Sequence, residues 1–396
     1  MLLNFIFLNL TIFVIKQINR NFVENMRKNL TIIGGGFASW IAASVFAENG
    51  YFIDIFEGKK ESFGSQQITP NGWKALSNLI ETKTIEKYFE PFNSIYIKKL
   101  NANNNLEVLY FHDLLEQNYI YGSIERKFII NSFKNHALKN SAIKIHKSSI
   151  TNIISNNNYN ELINDKGQIY EAKLIIGSDG INGISKKFVV GYSNFIKKKK
   201  IYRAISFDES AYKLSKTILQ VLIHLNGYYV IYPTIINNKK ATNYIFVPQN
   251  NNTEPPSLNH QILNYLIPED LDWKSTYASF NDGEKTSIYK NGLFLFGDSG
   301  FAIPPHTAQA GNQILEDAVY IKKLLNENYD FYETVDIFIK ERYLKKDMLA
   351  KKSKIVGEIL NAQKLTKYFR DIAFKTNGSN LINKIMDPIW ATENYE

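Results

Sequence analysis

Apolar positions along the chain follow two periods, and the switches between them mark its elements. Residues 29–57 read NLTIIGGGFASWIAASVFAENGYFIDIFE. The short β-branched run LTII precedes a glycine cluster, ASWIAASVFAEN carries helical spacing, and YFIDIF is again apolar throughout. This predicts strand, tight turn, helix, strand. The same order returns at 172–188 (AKLIIGSDGINGISKKF), where a buried strand ends in Asp179-Gly180. It returns again at 291–318 (NGLFLFGDSGFAIPPHTAQAGNQILEDA), where LFLF leads through Gly-Asp and two prolines into a helix. At 121–140, YGSIERKFIINSFKNHALKN places Arg126 at the head of an amphipathic helix.

Other stretches complete the outline. LQVLIHLNGYYVIYP (219–233) reads as one strand, and the two-residue period then puts 224, 228 and 232 on one face. NANNN (101–105) and PQNNNTEPP (248–256) read as surface loops. The tail after residue 345 is basic and helical, expected as a solvated helix, with peripheral membrane contact as the alternative. The apolar MLLNFIFLNLTIFVI (1–15) falls short of the roughly 20 residues a spanning helix needs, and its positive charges follow it rather than precede it. Residues 1–25 are therefore read as an extension that is not native, with an anchor as the alternative.

Composition narrows the chemistry. A chain of 396 residues that is 44% hydrophobic can bury a sizeable core. The formal charge of +9 accompanies a general richness in Lys, Asn and Ile, so no nucleic-acid partner is inferred from it. The absence of cysteine excludes disulfides, thiolate metal sites, cysteine nucleophiles and dithiol redox chemistry, and fits a cytoplasmic protein. The six histidines show no metal-ligand spacing, so no metal is expected.

The first turn has the form G-x-G-x-x-S. Gly34 permits the sharp turn, Gly36 lets backbone approach a pyrophosphate, and Ser39 is small enough for close helix–strand packing. Helix-start N–H groups would face the phosphates, and Glu57, ending the second strand, could accept ribose hydroxyls. FAD and NAD(P) both remain open at this point.

With its three downstream motifs in order, the chain resembles the group A flavoprotein monooxygenases, the aromatic hydroxylases of the para-hydroxybenzoate hydroxylase type. The resemblance runs from about residue 29 to about 345 and includes ITPNGWKAL (68–76), YRA (202–204), YP (232–233) and ERY (341–343). It implies an α/β protein: a Rossmann-like FAD-binding domain (26–95, 121–190 and 285–345), interleaved with a β-sheet substrate domain (96–120 and 191–284). C-terminal helices would follow (346–396). By position, Gly34, Gly36 and Ser39 would line the pyrophosphate and Glu57 would bind the adenosine ribose. Arg126 would lie by the ribose and phosphates, and Asp179 would sit in a motif serving FAD and NAD(P)H. Asp298 would hold the ribityl chain. Pro305 and the backbone from Ala308 through Ala310 and Gly311 to Asn312 would lie against the isoalloxazine. Tyr202, Arg203, Tyr228 and Tyr232 become substrate candidates, and His306 and His224 candidate bases.

The implied activity is NAD(P)H- and O₂-dependent hydroxylation or epoxidation of a small aromatic or conjugated substrate through a flavin C4a-hydroperoxide. Gly183 and Lys186 depart from the Ser and Arg of the second motif. Ala308 and Ala310 stand where the last motif has glycines. The alternatives are a flavin-dependent halogenase, whose paired-tryptophan signature is missing here, an FAD-dependent reductase, and a non-catalytic FAD-binding or membrane-associated interaction protein.

Overall fold

The computed structural model describes residues 28–58, 63–100, 105–139, 143–191, 196–255, 266–281 and 286–391. The apolar segment 1–25 and most of the NANNN loop lie outside these residues. A six-stranded sheet runs in the order Tyr289–Lys290, Leu293–Leu295, Leu174–Gly177, Asn29–Ile33, Phe52–Phe56, Ile143–His146. All its pairs are parallel except the first. Parallel strands covered on both faces read as continuous apolar runs, and Leu30, Ile32, Ile53, Ile55, Ile175 and Ile176 are buried accordingly. The helix Phe37–Glu48 crosses from the first strand to the second, and the helices Arg126–Leu138 and Gln309–Asn326 pack against it.

A seven-stranded sheet stands beside this unit. Its order is Lys274–Asn281, Ile196–Ser206, Lys239–Pro248, Gly227–Ile236, Ile218–His224, Ser94–Leu100, Leu106–Asp113. Its two faces alternate along every strand. One carries Tyr202, Ala204, Leu222, Tyr229, Ile231, Tyr244 and Phe246 in a closed aromatic cluster. The other presents residues such as Ile201, Val221, Val230, Ile245 and Ile97 to a cavity. The 219–233 run is not one strand. It folds back at 225–226, so that His224 pairs with Gly227 and Ile223 with Tyr228.

Two long helices close the chain. Phe331–Leu360 starts with a capping box, in which Asp330 Oδ1 accepts from Glu333 N and Glu333 Oε2 from Asp330 N, each at 2.9 Å. Arg342, within the ERY stretch, is buried and bonds Asp317 (3.0 Å) and Glu316 (3.1 Å), clamping this helix to Gln309–Asn326. Lys364–Trp390 bends at Asn377, where φ is −144°. At the bend Gly378 lies so close to Tyr110 that a Cβ would come within 2.5 Å of its ring. The tail is thus no solvated appendage: Leu349, Gly357, Phe374, Gly378, Ile389 and Trp390 are buried. No helix among the described residues is long and apolar enough to cross a membrane.

Candidate active site

The first turn is built as its glycines require. Gly34 sits at φ +126°, where an added Cβ would lie 2.6 Å from Ser178 O. Gly36 has nothing within 4 Å of that position and starts the Phe37–Glu48 helix with no side-chain cap and no acid in the first turn. The helix start is thus uncapped with Gly36 exposed, which leaves room for a pyrophosphate. Ser39 corrects an expectation. It is fully buried and bonds Ser178 Oγ at 2.9 Å, so it packs the turn onto the neighbouring strand end and does not line the groove.

Glu57 ends its strand at the expected place, and its carboxylate already accepts from Trp40 Nε1 (3.3 Å), Lys134 (3.0 Å) and Lys147. Burial would raise this carboxyl, but the two lysines outweigh it and hold it below the ordinary glutamate range. Asp179 turns inward. Its Oδ2 accepts from Ser185 N at 3.1 Å, capping the short helix Ile184–Val190, and its carboxyl is raised by burial. Gly183 is required beneath it, since a Cβ there would meet the Asp179 carboxylate at 2.2 Å. Lys186 is buried, 3% exposed, and donates to Asn281 Oδ1 at 3.3 Å; burial brings its amine down to about 8.

The Gly-Asp turn at 297–299 packs against the dinucleotide helix: a Cβ on Gly297, at φ +67°, would stand 2.7 Å from Ala38 Cβ. Asp298 beside it is exposed, and its charge reaches both Arg126 and Lys186. Past the prolines, Ala308 adopts φ +54° and the helix Gln309–Asn326 begins with no side-chain cap and no acid in its first turn. A buried amide network holds this start. Asn71 Nδ2 donates to Gln309 Oε1 (3.0 Å) and Glu316 Oε1 (2.8 Å), and Asn312 Nδ2 donates to Gln67 O (3.1 Å) and Ala308 O (2.6 Å). The Asn312 side chain therefore braces the turn instead of facing the cavity.

A cavity of about 270 Å³ begins at this helix start and runs beneath the seven-stranded sheet. Pro305, Ala308, Ala310, Gly311, Gln66, Arg126 and Arg203 line one side, and the two closing helices roof the other through Val356, Phe374, Ile382 and Trp390. Arg126 Nε, Arg203 Nε, Gln66 Nε2 and Thr307 Oγ1 are buried and find no partner among the described residues. Burial and the Arg203 charge pull the Arg126 guanidinium down to about 10, still charged at neutral pH. Two facing guanidinium groups, orphaned donors and an uncapped helix start make a site for an anionic, polar group. Together with the open Gly36 turn, these residues fit a flavin dinucleotide.

Tyr228 and Tyr232 line the cavity, with Tyr228 OH 2.6 Å from His306 Nδ1 and Ser65 Oγ donating to Tyr232 OH at 3.2 Å. Tyr202 and His224 do not. Tyr202 belongs to the aromatic cluster on the opposite face. His224 shares that face with Tyr229, ring centroids 6.4 Å apart, because the hairpin breaks the count that joined it to Tyr228. Sequence reasoning missed Gln66, His112 and the roof. The roof's signal, apolar spacing in a lysine-rich tail, was masked by its charge.

No protein-family model matches the chain. It is 21% identical over 337 residues to the FAD-dependent monooxygenase penM of Penicillium crustosum, covering 76% of this chain and 69% of that one. It is 21% identical over 366 residues to kynurenine 3-monooxygenase of Legionella pneumophila, covering 82% and 79%. Among solved structures, Klebsiella pneumoniae HpxO, complexed with FAD and uric acid, superposes with a TM-score of 0.75 at 15% identity, over 91% of this chain and 96% of that one. The ordered turns, the cationic cavity and these likenesses agree: the chain is a homologue of the FAD-dependent monooxygenases and has the fold of the group A flavoprotein hydroxylases.

Proposed function

We infer that this protein uses FAD, NAD(P)H and O₂ to insert one oxygen atom into a small aromatic or conjugated molecule, free in the cytosol. The observation that carries the reading is the single continuous cavity. It joins a cationic, donor-rich end to an aliphatic chamber lined by the sheet and the closing helices. FAD bound at the donor-rich end supplies electron transfer from NAD(P)H and the activation of O₂.

The chain's own residues supply the rest. The N–H groups of the helix start at Gln309–Gly311, with Arg126 and Arg203, bind and stabilise negative charge on the cofactor. The aliphatic walls exclude water from the reacting end of the substrate. His306 is a poor candidate for an imidazolium at neutral pH: burial, with Lys199 nearby, pushes it down to about 4. Burial keeps Tyr228 a neutral phenol. Tyr228 and the neutral His306 share a hydrogen bond that fixes the ring; donation from the phenol would leave Nε2–H as a positioned donor.

The test is direct. Purified protein should bind FAD. Incubated with NAD(P)H, ¹⁸O₂ and a panel of small aromatic and conjugated compounds, it should place one labelled oxygen in a product. Absence of FAD binding, or of any NAD(P)H oxidation, would overturn the reading.

A further inference from the structure

The strand at the far edge of the seven-stranded sheet, Leu106–Asp113, has four strands between it and the strand of Arg203. There a second pair of unsatisfied polar groups meets the cavity. His112 is 5% exposed and Trp390 4%, and both line it. Neither His112 Nε2 nor Trp390 Nε1 finds a partner among the described residues. Their rings stand 6.1 Å apart between centroids, tilted by 49°. Buried polar atoms left unpaired are costly, and two at one place in a cavity point to a ligand that pairs them.

The identity of the missing group follows from the donors. The indole N–H can only donate. His112 Nδ1 is 2.9 Å from Tyr110 OH, and Tyr110 in turn shares a hydrogen bond with Ser379. With Tyr110 accepting from Ser379 and donating to Nδ1, the His112 Nε2 carries the hydrogen. Two neutral N–H donors then call for an acceptor oxygen. The charges that reach His112 are those of Asp387 and Asp113, both negative, which disfavour a carboxylate there. The neighbouring walls are the apolar side chains of Ile97, Ile385 and Met386.

We propose that His112 and Trp390 form a second polar subsite of the cavity that takes an uncharged carbonyl oxygen of the substrate. The proposal rests on the monooxygenase reading for its substrate, but its test does not need turnover. FAD-loaded protein is titrated, without NAD(P)H, with 4-hydroxyacetophenone and with 4-ethylphenol, which differ at the carbonyl, and binding is followed by the flavin absorbance change. The ketone should bind about tenfold more tightly. In Trp390→Phe and in His112→Leu the preference should fall to within about threefold. His112→Gln, which keeps a side-chain N–H, should restore part of it and covers the case in which His112→Leu does not fold. Equal binding of the two probes, no binding of either at millimolar concentration, or an unchanged preference in both variants would overturn the subsite. Absent NAD(P)H oxidation alongside an intact ketone preference would count against the activity and leave the subsite standing.

Discussion

Tyr228 and His306 join two parts of the molecule: a phenol on the seven-stranded sheet lies 2.6 Å from an imidazole inside the proline turn that precedes the helix Gln309–Asn326. Gly357 of the roof helix faces the same imidazole, with space for no Cβ, since one would stand 2.5 Å from the ring. One buried side chain thus registers sheet, cofactor turn and roof together.

This registration is pH-sensitive. The imidazole takes up a proton near 6.5 in the unfolded chain but near 4 when folded. The unfolded state therefore binds more protons in that window. The stability contributed is full above pH 6.5 and is lost as pH falls to 4. Melting temperatures from pH 7 to pH 4 should drop more steeply for the native protein than for His306→Gln. Parallel curves would sink the assignment.

The two glycines of the first turn should separate folding from cofactor binding. Gly34→Ala meets backbone at 2.6 Å with φ at +126° and should destabilise the protein by about 2 kcal/mol or more. Gly36→Val meets nothing within 4 Å, at φ −89°, so the apoprotein should stay within about 0.5 kcal/mol of native stability. It should nevertheless lose FAD, because the branched side chain fills the approach to the pyrophosphate. Denaturation of apoprotein and FAD titration together give both answers.

Ala308 sits in left-handed backbone at φ +54°. Relief of that strain, about 1–2 kcal/mol, set against glycine's greater freedom when unfolded, leaves Ala308→Gly more stable by about 0.5–1 kcal/mol. Urea denaturation midpoints of the apoprotein measure this. A lower midpoint for the variant contradicts it.

Lys186 shows the same sign of pH dependence in a more alkaline window. Its amine titrates near 8 folded and 10.5 unfolded, so stability rises as pH climbs from 8 to 10.5. Lys186→Met should abolish that rise and stabilise the protein below pH 8 by about 1–2 kcal/mol. Thermal melts at pH 7, 8, 9 and 10 test both halves. A rise that persists in the variant would assign the titration to another group.

The cofactor half was legible in the sequence because its chemistry is local. Strand, glycine turn and helix at 29–57 demand one backbone path, and Gly34 and Gly36 adopt the turn it requires. Ser39 and Asp179 were placed on the right turns, yet their side chains face inward. Short polar side chains beside a strand end can pair with backbone as readily as with a ligand, and spacing does not decide which. Tyr202 and His224 were lost to sheet parity. An unseen hairpin at 225–226 reversed His224, and Tyr202 differs from Arg203 by one position on an alternating strand. The closing helices were expected as helices, but their packing over the cavity could not be read. Their contacts with Tyr110 and His306 join residues more than 50 positions apart, and only folding brings Gly378 and Gly357 against them.

The Ser353 hydroxyl, 2.7 Å from Pro304 O, fastens that roof to the cofactor turn. A product of interrupted translation or proteolysis ending before residue 346 would keep Gly34 to Gly311 and lack the helices that roof the cavity. Loss of the tail would thereby open the chamber beneath the seven-stranded sheet to solvent.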